Sequence, residues 1–310
     1  MAKFLMLTLG MLVIVLALGC GSSSRQEDLS GNRIDVVTTV GMVGDLVERV
    51  GGDRVSVQPL MGPGVDPHLY RATASDVDKL ERADIVFYVG LELEGRMTEI
   101  FEKMTASGRD AVAVGERVPQ DRLLQPKEFK GRYDPHLWFD VTLWKYALEA
   151  VRDALIERDP SSADLYRKNA EAYAKELDGL HAYVQEKIAS IPENQRVLVT
   201  AHDAFGYFGR QYGLEVLGLQ GTSTATEAGA GDVRGLAEMI ARRGVKAIFV
   251  ETSVPKGTIE ALREAVRSRG KDVAIGGSLF SDAMGSPGTP AGTYVGMVRH
   301  NVDTIVEALQ

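Results

Sequence analysis

The segment SADLYRKNAEAYAKELDGLHAYVQEKIAS, residues 162–190, decides how the rest of the chain is organised. Gly179 is its one helix-breaking residue, and Pro160 and Pro192 bound it. Leu165, Ala172, Leu177, Leu180, Val184 and Ile188 form an apolar stripe at helical spacing. A helix of about thirty residues rising 1.5 Å each makes a rod of roughly 45 Å, enough to cross two packed lobes. The segment over 160–192 therefore reads as a rigid connector.

On its N-terminal side, short runs rich in valine and isoleucine alternate with amphipathic stretches. IDVVTTV (34–40), VSVQPL (55–60), ADIVFYV (83–89) and AVAV (111–114) read as strands, and 43–50, 75–82 and 97–105 as helices. Thr73 or Ser75 is placed to cap the second helix, and Asp140 to cap one following DPHLWF. On the C-terminal side the alternation runs again. RVLVTAH (196–202), LEVLGL (214–219), KAIFVE (246–251) and DVAIGG (272–277) are strand candidates, with helices near 233–243, 258–269 and 293–309. Such alternation is the mark of crossover connections in a parallel sheet. The expected fold is α/β, with two parallel-sheet lobes, 34–159 and 193–310, bridged by one long rigid helix. The cleft where the carboxyl ends of both sheets meet is where such a fold binds ligands.

At 310 residues the chain has room for two lobes with buried cores. Apolar residues at 45% and charged residues at 25% are ordinary for a soluble globular protein. A formal charge of -8 argues against nucleic acid as a partner, because phosphate binding needs a basic face. A cationic or neutral ligand fits better.

The first residues, MAKFLMLTLGMLVIVLALGCGSSSRQ, place Lys3 before an apolar run over 4–19, the pattern of a secretory leader. An uncleaved membrane anchor is the alternative reading. Cys20, the only cysteine, follows Gly19 at the end of the run and precedes a polar segment read as a flexible tether over 21–33. This resembles a bacterial lipoprotein signal over 1–20, which implies lipidation of Cys20; Ala17 stands where such signals more often carry leucine. With Cys20 lipidated no thiol remains, so a metal site must use nitrogen and oxygen ligands.

Of five histidines, two lie in nearly the same pentapeptide: DPHLY at 66–70 and DPHLW at 134–138. Both fall in the first lobe and their flanking residues differ, so a duplicated domain does not explain them. His68 lies in a loop after VSVQPL, His136 just before a helix, His202 at the end of a strand, and Asp282 just past another in GGSLFSDAMG (276–285). All four sit at a strand's end or a helix's start, where the fold can gather them in one cleft. Taken singly, each has a plain structural reading as a surface or capping residue. Three neutral imidazoles and a carboxylate suit Zn²⁺, Mn²⁺ or Fe²⁺ and serve Ca²⁺ or Cu⁺ poorly. Asp66 and Asp134 can each accept from a ring N–H and fix its tautomer, or can simply start an Asp-Pro turn. Glu251, ending the AIFVE strand, is a further ligand, a supporting base or a turn residue. His181 and His300 read as structural.

From about residue 34 onward the chain resembles the zinc- and manganese-binding lipoprotein receptors of bacterial ABC importers, the group typified by TroA. DPHLYRATASDVDKLERADIVFYVG is similar to that family's first ligand loop, DPHLWFD to its second, TAHDAFGYFGRQYGLEVLGLQG to its third and GGSLFSDAMG to its fourth. The resemblance implies His68, His136, His202 and Asp282 as ligands of one transported metal ion, with Asp66 as an additional candidate. It also implies a membrane permease and an ATPase as partners, a lipid-anchored monomer exposed to the periplasm or cell exterior, and no enzymatic activity. The stretch VPQDRLLQPKEFKGRYDP (118–135) lacks the histidine-rich loop common in zinc receptors, while His202 stands where some manganese receptors carry glutamate.

Two other function classes fit the sequence less well. A secreted zinc hydrolase needs an open coordination position and a general base, and no HExxH motif occurs. A surface adhesin finds no apolar or repeat feature to support it. For the receptor, ligating imidazoles must be neutral, so binding is expected to weaken below about pH 6.5.

Overall fold

A computed structural model describes residues 33–310; the leader, Cys20 and nearly all of the expected tether lie outside the described residues. The first sheet is wholly parallel, in the order β2 (Val55–Pro59), β1 (Ile34–Thr38), β3 (Ile85–Tyr88), β4 (Ala111–Ala113). Helices α1 (Gly41–Gly51), α2 (Ala74–Arg82) and α3 (Thr98–Ala106) make its crossovers. Thr73 caps α2 through a reciprocal box with Asp76, and the Asp140 carboxylate accepts from Thr142 and Leu143 at the start of α4 (Val141–Arg158).

The second half pairs β5 (Val197–His202) with β6 (Glu215–Gln220), and β7 (Ala247–Glu251) with β8 (Ala274–Leu279), all parallel. β5 and β7 pack side by side. Every residue of β5 and β7 is buried, as expected of parallel strands covered on both faces. Helices α6 (Gly206–Tyr212), α7 (Ala230–Arg243), α8 (Gly257–Arg267) and α9 (Tyr294–Leu309) complete the half.

The connector forms α5, Ala163–Ala189, 27 residues or about 40 Å of helix. Its buried face is Tyr166, Ala170, Tyr173, Leu177, Leu180, Val184 and Ile188. Two residues of the expected stripe are corrected: Leu165 is 40% exposed and Ala172 is exposed, because both lie off the face that meets the protein. Two tyrosines take their place. The Tyr166 hydroxyl donates to Asp159 Oδ2 at 2.9 Å and the Tyr173 hydroxyl to Asp45 Oδ2 at 2.6 Å, so both rings are buried without an unpaired oxygen. Each apolar side chain so buried contributes about 1.5–3 kcal/mol before entropy is counted. The largest apolar cluster runs from β1 through α1, α4 and α5 to α9, and a smaller one lies between β5, β7, α7 and α8.

Candidate metal centre

The carboxyl ends of the strands deliver the candidate residues. His202 is the last residue of β5 and Glu251 the last of β7; Asp282 follows β8 by three residues. His68 lies in the loop from β2 to α2. That loop turns through Gly62, Pro63 and Gly64, where Gly64 has φ +73° and an added Cβ would lie 3.3 Å from the Thr252 carbonyl oxygen. A side chain there would push the His68 loop away from the second half. His136 precedes a short 3₁₀ turn, Leu137–Phe139, that leads into the capped start of α4.

These four residues converge. One donor atom from each of His68, His136, His202 and Asp282 lies within 4.8 Å of the others. His136 Nε2 stands 3.3 Å from His68 Nε2 and 3.4 Å from His202 Nε2. Asp282 places Oδ1 3.3 Å from His136 Nε2 and Oδ2 3.2 Å from His202 Nε2, with His68 Nε2 at 3.9 Å. All four are buried, His68 the most accessible at 4%. Neither Asp282 oxygen has a partner in hydrogen-bond geometry. Two buried carboxylate oxygens aimed among three imidazoles make a donor set for a cation, because burying them without a partner would otherwise carry a large desolvation cost.

Each imidazole has a different support. Asp134 Oδ1 accepts from both the Nδ1 side of His136 at 2.7 Å and its backbone N–H at 2.9 Å. Glu251 does the same for His202, with Oε2 at 2.6 Å from Nδ1 and Oε1 at 2.9 Å from the backbone N–H. Both rings thereby turn Nε2 toward the centre. At His68 the expectation of a ring-fixing aspartate is corrected. Asp66 Oδ1 accepts only the backbone N–H of His68, at 2.9 Å, and His68 Nδ1 has no partner. The other Asp66 oxygen, Oδ2, accepts from the Thr224 hydroxyl at 2.6 Å. The same four-residue motif thus gives different geometries in the two DPHL loops.

The electrostatics follow the supports. Burial lowers His68, and the neighbouring imidazoles add to this, so its value falls to about 3 despite Asp282. Burial also opposes charge on His136, but Asp134 and Asp282 outweigh it and raise the value to about 9. His202 is likewise raised against burial, by Glu251 and Asp282. Burial works against ionised Asp282, yet His202 and His136 hold it well below the usual carboxylate range. In the metal-free protein Asp282 and the His136 and His202 rings favour one another's charged forms across 3.3 and 3.2 Å, so an incoming cation competes with protons there.

Several partners had no signal in the pattern of residues. Thr224 lies in the loop after β6, far in sequence from Asp66. Trp138 Nε1 donates to the Ser281 carbonyl at 3.1 Å, tying the DPHLW loop to the residue before Asp282, and the Tyr294 hydroxyl donates to the Trp138 carbonyl at 2.6 Å. The Tyr207 hydroxyl donates to the Asp134 carbonyl at 2.8 Å. His181 and His300 lie outside the cluster: the first meets the Tyr212 hydroxyl at 3.1 Å and the second the Ser278 carbonyl at 3.1 Å.

Known proteins resemble this chain along nearly its whole length. Residues 36–308 match the family described as "ZnuA: Zinc-uptake complex component A periplasmic". The chain is 54% identical over 274 residues to the zinc-binding protein TroA of Treponema pallidum, covering 88% of each. It is 44% identical over 292 residues to the manganese-binding lipoprotein MntA of Bacillus subtilis, covering 94% of each. The solved structure of the periplasmic zinc-binding protein TroA superposes with a TM-score of 0.87 at 53% identity, over 90% of this chain and 99% of that one. With a buried donor set gathered by parallel strands of both halves and a family match along nearly the whole chain, this protein belongs to the ZnuA family of periplasmic metal-uptake components.

Proposed function

We propose that the protein captures one divalent transition-metal ion and delivers it to an ABC importer, with His68, His136 and His202 binding through Nε2 and Asp282 through its carboxylate. The observation that carries this reading is the buried convergence of those four side chains with both Asp282 oxygens unpartnered. Asp134 and Glu251 act behind the ligands, fixing the tautomers of His136 and His202. Zn²⁺ binds more tightly than Mn²⁺ or Fe²⁺ at three imidazoles and a carboxylate, so the ion carried in the cell follows supply as well as affinity. The relatives themselves are named for both zinc and manganese.

In this reading the lobes comprise 34–159 and 193–310, joined by the connector at 160–192, and the protein works as a monomer. Lipidated Cys20 holds it at the outer side of the bacterial membrane, beside the permease and its ATPase. Relatives named as lipoproteins support the anchor. No helix among the described residues is long and apolar enough to cross a membrane. The family is an uptake component, so the hydrolase and adhesin readings are set aside. Metal analysis of the purified protein tests the proposal: one Zn²⁺ or Mn²⁺ per chain supports it, and a chain that takes up neither overturns it.

A further inference from the structure

We infer that Thr224 is a positioning residue for metal selectivity: its hydrogen bond holds the Asp66 carboxylate out of the coordination sphere and keeps the centre at three imidazoles and one carboxylate. The inference rests on the metal-binding reading above and goes beyond it, because it concerns a residue that does not touch the metal.

Asp66 is the carboxylate nearest in sequence to His68. It lies two residues before His68, is half-buried and shares its loop with that ligand. Yet it is absent from the converging donor set. Both of its oxygens are engaged elsewhere: Oδ1 takes the His68 backbone N–H at 2.9 Å, and Oδ2 takes the Thr224 hydroxyl at 2.6 Å. The first of these bonds is local to the DPHL loop, and rotation about the side chain's last torsion, which moves both oxygens together, would break it. The second crosses between the halves, from the β2–α2 loop to the loop after β6, and fixes that torsion. Thr224 is itself only 7% exposed, so water does not readily substitute for its hydroxyl.

The chemical consequence concerns coordination number. Four donors suit tetrahedral Zn²⁺. A second carboxylate adds a hard oxygen and a fifth or sixth bond, which favours Mn²⁺ relative to Zn²⁺. Freed from Thr224, Asp66 can turn about that torsion and exchange its bond to the His68 backbone N–H for one to the ion.

The test uses Thr224→Val, which keeps the shape and removes the donor, with Thr224→Ser, Asp66→Asn and the Thr224→Val/Asp66→Asn double variant alongside. Each is titrated with Zn²⁺ and Mn²⁺ and loaded with Co²⁺, whose visible absorption is strong in four-coordinate sites and weak in five- or six-coordinate ones. The inference expects Thr224→Val to move the Zn²⁺:Mn²⁺ affinity ratio toward Mn²⁺ by about tenfold, the lower end of what outer partners of metal ligands contribute. Its Co²⁺ band weakens, while Thr224→Ser and the double variant keep the parent band. Equal weakening for both metals with an unchanged Co²⁺ band overturns the inference, since Thr224 would then only fasten the halves together. No change in either readout overturns it as well. A parent protein that binds neither metal overturns the function itself and this inference with it, and is told apart by the parent titration alone.

Discussion

Glu251 grips His202 twice across neighbouring strands, at the ring Nδ1 at 2.6 Å and at the backbone N–H at 2.9 Å. A single carboxylate at the end of β7 therefore sets both the position and the tautomer of a histidine at the end of β5. Replacing it with glutamine keeps the size but loses the charge that favours Nδ1–H. Glu251→Gln is expected to lower Zn²⁺ affinity about 10- to 100-fold with the fold retained. Competition against a chelator measures this; an affinity equal to the parent's would show that β-strand packing alone orients His202.

The same electrostatics predict a pH window. Unperturbed imidazoles would weaken metal binding only below about pH 6.5. His136, raised to about 9 once Asp134 and Asp282 outweigh burial, carries a proton at neutral pH that the metal must displace. Apparent affinity should therefore already fall between pH 9 and pH 7, by about tenfold per unit for each proton released. Proton release on Zn²⁺ addition, read in buffers of different ionisation enthalpy, checks the count; binding with no proton release near pH 7.5 would contradict it.

Without metal, the sign reverses into a stability effect. The folded value of His136 lies above its ordinary value of 6.5, so its protonated form stabilises the metal-free fold fully below about pH 6.5. That contribution is lost as pH rises through about 9. Thermal melts of the metal-free protein should decline over this range, and less so in His136→Asn. A parent and variant with parallel pH profiles would rule out the contribution.

Away from the centre, Asp159 ties the start of the connector to the first half. Burial works against its charge, but hydrogen bonds from Ser161, Tyr166 and Arg54 hold it below the usual carboxylate range. Asp159→Asn should destabilise the protein by about 2 kcal/mol, since buried donors lose a charged acceptor. Its folded-state value is depressed, so the contribution is present above the ordinary carboxylate range and lost in acid. Denaturant melts of parent and variant should therefore differ at pH 7, with the difference starting to narrow only below about pH 4 and metal affinity at pH 7 unchanged.

Gly179 tests the connector's rigidity. It sits exposed inside α5 with nothing within 4 Å of an added Cβ. Gly179→Ala should stabilise the protein by about 1 kcal/mol through helix propensity. If α5 is a stiff strut the rate of metal dissociation stays the same, whereas a slower rate in the variant would reveal a hinge at Gly179.

Much of the architecture is legible because buried parallel strands announce themselves as short β-branched runs, and their loops then place the four candidate donors at carboxyl ends. Reading the connector's face was harder. Tyr166 and Tyr173 count as half-polar in a pattern, and only their meetings with Asp159 and Asp45 show why they lie inward while Leu165 does not. The paired DPHL segments look interchangeable in one dimension. Their aspartates nonetheless act differently, because Asp134 has its ring partner beside it while Asp66 is drawn away by Thr224. A hydroxyl that meets its acceptor across 158 positions leaves no periodic trace.

The central claim is a single metal centre built by both halves, and a competitive Zn²⁺/Mn²⁺ titration of the metal-free protein tests it most directly, with a His68→Ala/His202→Ala variant alongside. One tight site per chain, filled by Zn²⁺ ahead of Mn²⁺ and lost in the variant, is the predicted result. A parent with no tight site, or a variant that binds as well as the parent, would contradict it.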